Sequence, residues 1–484
     1  MATDVGSEYR SLLRHTSDDG LHNQSERNVG RLRCLVIETV VFLFFVAHGI
    51  AIPINVFYAH SRLQTQRHGK NYTCELFGNH TSVSNDTKGE QDEMTQFMMY
   101  NKVVNVIGII PAIFFGPIVD KVGRKVGILI PTIGILGKAI FFYLFISLDL
   151  SMYYLLIGCG IENISGGYAV MLLSCFGIIA DITPPGKVRT YRIAVIEALQ
   201  AVTTSVAIVT TGFWIQNHDF RNPMILSAAA SVCLLCLVLT VVPETLEITS
   251  GLTCSPGLFL RCCSVYMKSK YFKERRWMMV AALVCFILTV SVNFTKSNIQ
   301  QMVLMYAPFC WGEVKLTLYV SAGLIVCWFA ILVVSKLLQT LFNLQDLSLG
   351  IVGCISSIAS LFIFSFASTD TFAYAATGAG VFIRLIIPMI RSFSSRHVLL
   401  KEQGALFAGF AAVEVVTAAV AGSLSDYIYS KTFSFFRGFI FVCMAVFMIV
   451  TLGLLVLLRV KTKDEVASGY RRLPEDECPY ERIN

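Results

Sequence analysis

Charge is scarce in this sequence. Lys, Arg, Asp and Glu together supply 15% of its 484 residues, and hydrophobic residues supply 55%. A water-soluble chain of this length would divide into domains with polar surfaces, which so little charge cannot furnish. Signatures of common enzymes are missing as well. There is no HExxH-type metal cluster, no Gly-x-x-x-x-Gly-Lys-Ser/Thr phosphate loop and no nucleophile elbow. No catalytic residue, metal site or cofactor is therefore expected. The formal net charge is +7, but its cations sit in short connections, so nucleic acid is not an expected partner. No internal repeat stands out.

Long apolar runs are what the chain has in abundance. Runs of about 20 residues, the length of a helix crossing a bilayer, recur along nearly all of it. Backbone groups in lipid must pair internally, so runs this apolar are expected as helices. Twelve are expected, over 34–57, 97–119, 126–147, 153–180, 190–215, 222–242, 277–306, 314–338, 347–368, 372–398, 404–428 and 433–459. The first follows a polar leader and is too long for a cleaved signal peptide. The bilayer is thus one expected partner, and a multi-pass, all-α membrane protein the expected fold class.

Basic residues set the orientation. Arg10, Arg14, Arg27, Arg31 and Arg33 precede the first run. Lys121, Arg124, Lys125, Lys187 and Arg189 follow on the same side, as do Arg261, Lys268, Lys270, Lys273, Arg275 and Arg276. Arg396, Lys401, Arg459, Lys461 and Lys463 complete it. Both termini are expected in the cytosol. The longest internal connection, 243–276, divides the runs into six and six, the layout of two bundles around a midplane site. The expected organisation is a cytosolic tail 1–33, a bundle 34–242, a central loop 243–276, a bundle 277–459 and a cytosolic tail 460–484.

The outer loop 58–95 carries three glycosylation sequons, at Asn71, Asn79 and Asn85. Most of the fifteen cysteines lie inside the apolar runs, where they read as small packing residues. Cys74 and Cys310 alone map to outer loops, and two thiols in an oxidising space point to a disulfide.

Charges within the runs are costly, roughly 2.5–3.5 kcal/mol each near the bilayer centre. Glu38, His48, Lys138, Glu162, Glu197, Lys296, Arg384, Arg391 and Glu414 are the candidates. Glu197, Gln200 and Thr204 form one polar stripe at helical spacing, and so do Thr289, Asn293, Lys296 and Gln300. Arg384 and Arg391 stand two turns apart on one face with Pro388 between them, a proline that could break the helix. Asn101 and Asn105 are one turn apart. Lys138, Glu38 and Glu162 read as packing pairs, and His48 as a lone packing histidine. Lys102, Asp120, Asp181 and Asp426 read as interface residues explained by snorkelling and loop pairing. A carboxylate in a dry cavity can carry a proton if its neighbours change between states, which favours Glu197. A buried arginine stays charged and offers a planar fork to carboxylate or phosphate, so Arg391 points to an organic anion.

Gly116-x-x-x-Asp120-x-x-Gly123-Arg124-Lys125 resembles the loop signature of the major facilitator superfamily. Glu402-Gln-Gly-Ala-Leu-Phe407 with Arg391 upstream, Arg189-Thr-Tyr-Arg192 before Glu197, and Pro308-Phe-Cys310-Trp311 resemble solute carrier family 46, which contains the proton-coupled folate transporter. The resemblance implies the major facilitator fold, with Glu197 as proton-coupling acid and Arg391 as substrate-linked arginine. It makes Asp120, Gly123 and Arg124 a gating loop and pairs Cys74 with Cys310. Asn293 stands where the folate transporter has a histidine, and Glu414 resembles an acid of the family's lysosomal member. Arg384, Asn293, Lys296 and Glu414 join Arg391 as expected substrate-binding residues.

The expected function is proton-coupled symport of a polar anionic solute, such as a folate, muropeptide or cyclic dinucleotide, by alternating access. The alternatives are a facilitator or proton antiporter for organic compounds, and a non-transporting solute sensor. Protons and a small molecule are the expected ligands. Glu8-Tyr-Arg-Ser-Leu12-Leu13 and Tyr470-Arg-Arg-Leu473 fit sorting signals read by adaptors, which points to a lysosomal or endosomal membrane, the plasma membrane being the alternative.

Overall fold

The computed structural model describes residues 5–69, 85–108, 111, 123–183, 187–217, 219–244, 276–306, 308–330, 333, 341, 346–395 and 403–467, with side chains from Leu35 onward except at 85–88, 180, 187–191, 194, 276, 346, 403–405, 407–408, 411–412 and 463–467. What is described is almost wholly helical. The first half holds α1 (Val5–His68), α2 (Asn85–Ile107), α3 (Arg124–Ser147), α4 (Leu155–Ile164), α5 (Gly167–Ile182), α6 (Lys187–Ile215) and α7 (Arg221–Thr240). The second holds α8 (Arg276–Met305), α9 (Glu313–Phe329), α10 (Asp346–Ser365), α11 (Asp370–Ala379), α12 (Ile386–Ser395), α13 (Gln403–Thr432) and α14 (Phe439–Ala467).

Nine helical stretches among the described residues are long and apolar enough to cross a membrane. They match nine of the expected runs. The second, eighth and eleventh fall on α2, α9 and α13. The described part of α2 ends at Ile107, short of the apolar continuation, and α9 is 17 residues long.

Packing follows helical periodicity. On α1, Ile37, Val40, Val41, Phe44 and Ala47 recur three and four apart and are all buried, while Phe42 beside them is exposed. In a bilayer that exposed ring meets lipid, so apolar residues cover both faces of the helix. α1 packs along α6 and α7, and α3 along α7, α4 and α5. In the second half α10 lies against α14, and α8 against α13 and α14. The two halves meet where α6 runs along α9 and α2 along α13.

Two expected runs are broken, the fourth of each half. The run 153–180 divides into α4 and α5 at Ser165-Gly166-Gly167, where Gly166 and Gly167 have φ of 87° and 51°. Glycine occupies that left-handed region without steric penalty. The run 372–398 divides into α11 and α12 around a 3-10 turn at Ile383–Leu385. Pro388 is not the breaker. It sits in the first turn of α12, where its missing N–H has no intrahelical acceptor to lose. Paired interruptions at corresponding places in two halves mark the binding region of transporters built from repeats.

The halves are closed against each other on the side opposite the basic loops. Lys102 Nζ lies 2.7 Å from the Asp426 carboxylate, and Gln91 Nε2 donates to Tyr429 Oη at 2.6 Å. Ser321 Oγ donates to Ser205 O at 3.0 Å. Gly212 of α6 comes so near α9 that a Cβ there would be 2.0 Å from Thr317 Oγ1. Lys102 and Asp426 are therefore not snorkelling interface residues. They are 9% and 1% exposed and tie one half to the other.

Candidate functional site

Glu197 on α6 faces the second half of the molecule. Its carboxylate makes no hydrogen bond among the described residues, and Arg391 is the charge that acts on it. Arg391 on α12 bonds through Nη2 to Glu414 Oε2 on α13. Its guanidinium lies 5.4 Å from the Phe286 ring centroid, within cation–π range. The Arg391 and Glu414 side chains keep 34% and 23% of their surface exposed, so an incoming solute can reach both. Glu197 and Glu414 each lie ten or eleven residues into their helices, roughly 15 Å at 1.5 Å per residue. That depth is about half the hydrocarbon thickness of a bilayer.

Lys296 and Arg384 form a second cationic group in the same half. Lys296 is 8% exposed. Its Nζ donates to Ser360 Oγ at 2.6 Å, and that hydroxyl donates onward to Ala376 O, near the end of α11. Arg384 acts on Lys296 electrostatically and hydrogen-bonds Cys327. No ion pair joins either cation to an acid among the described residues. The break separates Arg384 from the helix that carries Arg391, so the two arginines do not share one continuous face. Asn293, one turn before Lys296, has a buried Nδ2 with no hydrogen-bond partner. An unpaired buried donor beside two unpaired cations fits an acceptor-rich, anionic ligand.

The remaining intramembrane charges are paired. Arg192 Nη1 meets Glu38 Oε1 at 2.9 Å. Lys138 Nζ meets Glu162 Oε2 at 2.6 Å. His48 is not solitary, because its Nδ1 lies 2.7 Å from Glu162 Oε1. Asn163 Nδ2 donates to Asn105 Oδ1 at 2.9 Å, joining α4 to α2.

Of the expected gating loop, Asp120 lies outside the described residues. Gly123 has φ of 128°, and a Cβ there would lie 2.3 Å from Glu244 Oε2. Glu244 accepts the amides of Arg124 and Lys125 at 2.8 and 3.1 Å, so it caps α3. Arg124 Nε reaches Asp181 Oδ2 at 3.3 Å. These described bonds stay within the first half.

Cys310 is disulfide-bonded. Its expected partner Cys74 lies outside the described residues, as do Asn71, Asn79, Tyr470 and Leu473. The side chains of Asn85, Leu12 and Leu13 are likewise outside the description. A cavity of about 350 Å³ lined by Gln91, Phe366, Phe433 and Arg437 touches none of the site residues.

Two structural relationships escaped the sequence. The Lys102–Asp426 pair has partners 324 residues apart. Tyr168, within electrostatic reach of both Glu162 and Glu414, carries no sequence signal beyond following two glycines.

The sequence profile of the Major Facilitator Superfamily matches residues 103–406, and the chain belongs to that superfamily of transporters. It is a multi-pass membrane protein. Its relatives include the lysosomal proton-coupled steroid conjugate and bile acid symporter SLC46A3 of Gallus gallus, 25% identical over 87% of this chain and 93% of that one. The proton-coupled folate transporter of Rattus norvegicus is 26% identical over 84% and 88%. Among solved structures, the human organic anion transporter MFSD10 (TETRAN) aligns with a TM-score of 0.61 at 13% identity, covering 88% of this chain and 99% of that one. The peptide transporter POT in complex with sulfate gives 0.63 at 12% identity, covering 88% and 94%. At such identity the structural likeness speaks for the fold alone.

Proposed function

We propose that this chain is a secondary active transporter that moves a polar anionic organic solute together with protons by alternating access. One observation carries the proposal. Glu197 from one half lies within electrostatic reach of Arg391 from the other, which Glu414 holds, at mid-depth and beside two broken spans. A protonatable acid and a permanent cation that face each other across moving halves give the linkage symport requires. While Glu197 is ionised it competes with the solute for Arg391. Protonation removes that competing charge, and the guanidinium, still held on one side by Glu414, offers its remaining N–H groups to the solute's carboxylate, sulfate or phosphate. Asn293, Lys296 and Arg384 supply further donors for the same solute.

Twelve spans, two six-helix bundles, cytosolic termini and a latch at Asp120, Gly123 and Arg124 belong to this proposal. So do the Cys74–Cys310 bridge, glycans at Asn71, Asn79 and Asn85, and a lysosomal or endosomal address set by adaptors at the tails. Relatives named for folate and for steroid conjugates and bile acids put those solutes beside muropeptides and cyclic dinucleotides in the panel to test.

The test is uptake of that panel by proteoliposomes holding the full chain, with and without an inward proton gradient. At least one anion is expected to accumulate only with the gradient, and Arg391→Ala to abolish its uptake. Equal uptake without a gradient would overturn the coupling. Full uptake by Arg391→Ala would overturn the anion site.

A further inference from the structure

A second cluster of titratable groups lies in the first half, at the break between α4 and α5. We infer that His48, held by Glu162 and Lys138, is a second proton-binding site of the transport cycle, and that its occupancy draws the anionic solute into the cavity. This rests on the proton-coupled reading above.

The geometry assigns the parts. Glu162 is 5% exposed and spends one oxygen on Lys138 Nζ and the other on His48 Nδ1, at 2.6 and 2.7 Å. A carboxylate against Nδ1 keeps the imidazole proton there and leaves the lone pair on Nε2. No described residue bonds to Nε2, and the His48 side chain is 17% exposed. The histidine is thus oriented by a buried acid on one side and open on the other. A packing role would be complete with Lys138 and Glu162 alone.

Charge counting links this site to the solute. Lys138 and Glu162 cancel, so neutral His48 leaves the cluster uncharged. One proton on Nε2 makes it net positive in a medium of low dielectric, a state favoured when an anion lies near. Tyr168 provides the route. Its ring centroid is 5.7 Å from that of His48, it is 46% exposed, and it lies within reach of Glu414. The proton and the solute's negative charge therefore favour each other's binding, and by linkage the effect is reciprocal.

The surroundings are otherwise quiet. α3 presents Lys138, α4 presents Glu162 and the buried Cys159, and α5 presents Tyr168. α7 gives Ser227, whose hydroxyl donates to Ala47 O at 3.0 Å. α6 offers Thr204 and Ala207 beside Gly49. α1 itself adds Phe44 and Phe45 around the ring.

The test needs no identified solute. The full chain, reconstituted on a solid-supported membrane, is given a jump from neutral to acid pH and the displaced charge is recorded. Wild type is expected to give a transient of which Glu197→Gln retains about half, one of two protons. His48→Gln and His48→Asn, which differ in volume but both lack the acceptor, are expected to lose the other half. The double variant with Glu197→Gln is expected to lose all of it. Should neither His48 variant fold, the Glu197→Gln protein with the other seven of the eight histidines changed to Gln decides, by an infrared difference spectrum in which the imidazolium signal of His48 is expected on acidification and its absence overturns the proposal. A wild-type transient that vanishes in Glu197→Gln, or survives whole in His48→Gln, overturns this second site while leaving proton coupling intact. No transient in wild type overturns both.

Discussion

Lys102 of α2 and Asp426 of α13 form an ion pair that is almost fully buried, 2.7 Å from nitrogen to oxygen, across the seam between the two halves. Such a pair is expected to break and remake as the halves rock. Removing one partner leaves an unpaired buried charge, at a cost of about 3–5 kcal/mol. Lys102→Met is therefore expected to open the seam on the side opposite the basic loops and to lower thermal stability. Lys102→Met with Asp426→Leu is expected to recover most of the stability and none of the transport. Thermal unfolding and accessibility of cysteines placed along α2 read both effects.

Gly212 and Thr317 supply a steric counterpart. A Cβ on Gly212 would overlap Thr317, so Gly212→Val wedges α6 away from α9. The variant is expected to reach the membrane yet transport at least about tenfold more slowly, a barrier increase near 1.4 kcal/mol. Trimming the opposing side chain with Thr317→Gly should restore much of the rate. Normal uptake by Gly212→Val would mean that this contact does not form during the cycle.

Arg391→Lys keeps the charge and loses the planar fork. Because Arg391 must hold Glu414 and the solute at defined angles, the lysine variant is expected to behave like Arg391→Ala, with uptake reduced by about tenfold or more. A lysine variant that transports normally would reduce the residue's role to charge alone.

Outside the apolar stretch of α2, Glu90 is 1% exposed, with His68 and His60 at 3.3 and 3.7 Å. Burial holds its carboxyl above the ordinary value of 4.5, although His68, Tyr306 and Arg67 oppose the shift. An acid whose pKa is raised by folding binds more protons folded than unfolded. Its contribution is thus present in acid and lost as pH rises from about 4.5 through the folded value. Glu90's own contribution to stability should therefore be larger at acid pH, and Glu90→Gln should remove it. Unfolding temperatures of the two proteins across acid and neutral pH check the sign.

Much of this was legible in the sequence, for reasons that differ by element. Apolar runs of bilayer length identify spans because lipid leaves the backbone no other partner. Glu197 and Arg391 were legible because an intramembrane charge is expensive wherever it falls. Partners were harder. His48 read as solitary, since nothing in linear order brings it to Glu162, 114 residues away. Pro388 drew the expected break in the tenth run, but the chain breaks earlier, where Arg384 turns to Cys327 and Lys296. Proline at a helix start costs nothing, so its presence alone does not locate a kink. Lys102 and Asp426 lie near the ends of their runs, and snorkelling explained each separately until the fold joined them.

The most direct measurement of the central claim is proton entry coupled to solute entry. Proteoliposomes loaded with a pH-sensitive dye and held at zero membrane potential receive an organic anion from the panel. Wild type is expected to acidify the lumen as the anion enters, and Glu197→Gln to admit at most about half as many protons per anion. Anion entry by wild type with no change in luminal pH would contradict proton coupling at Glu197.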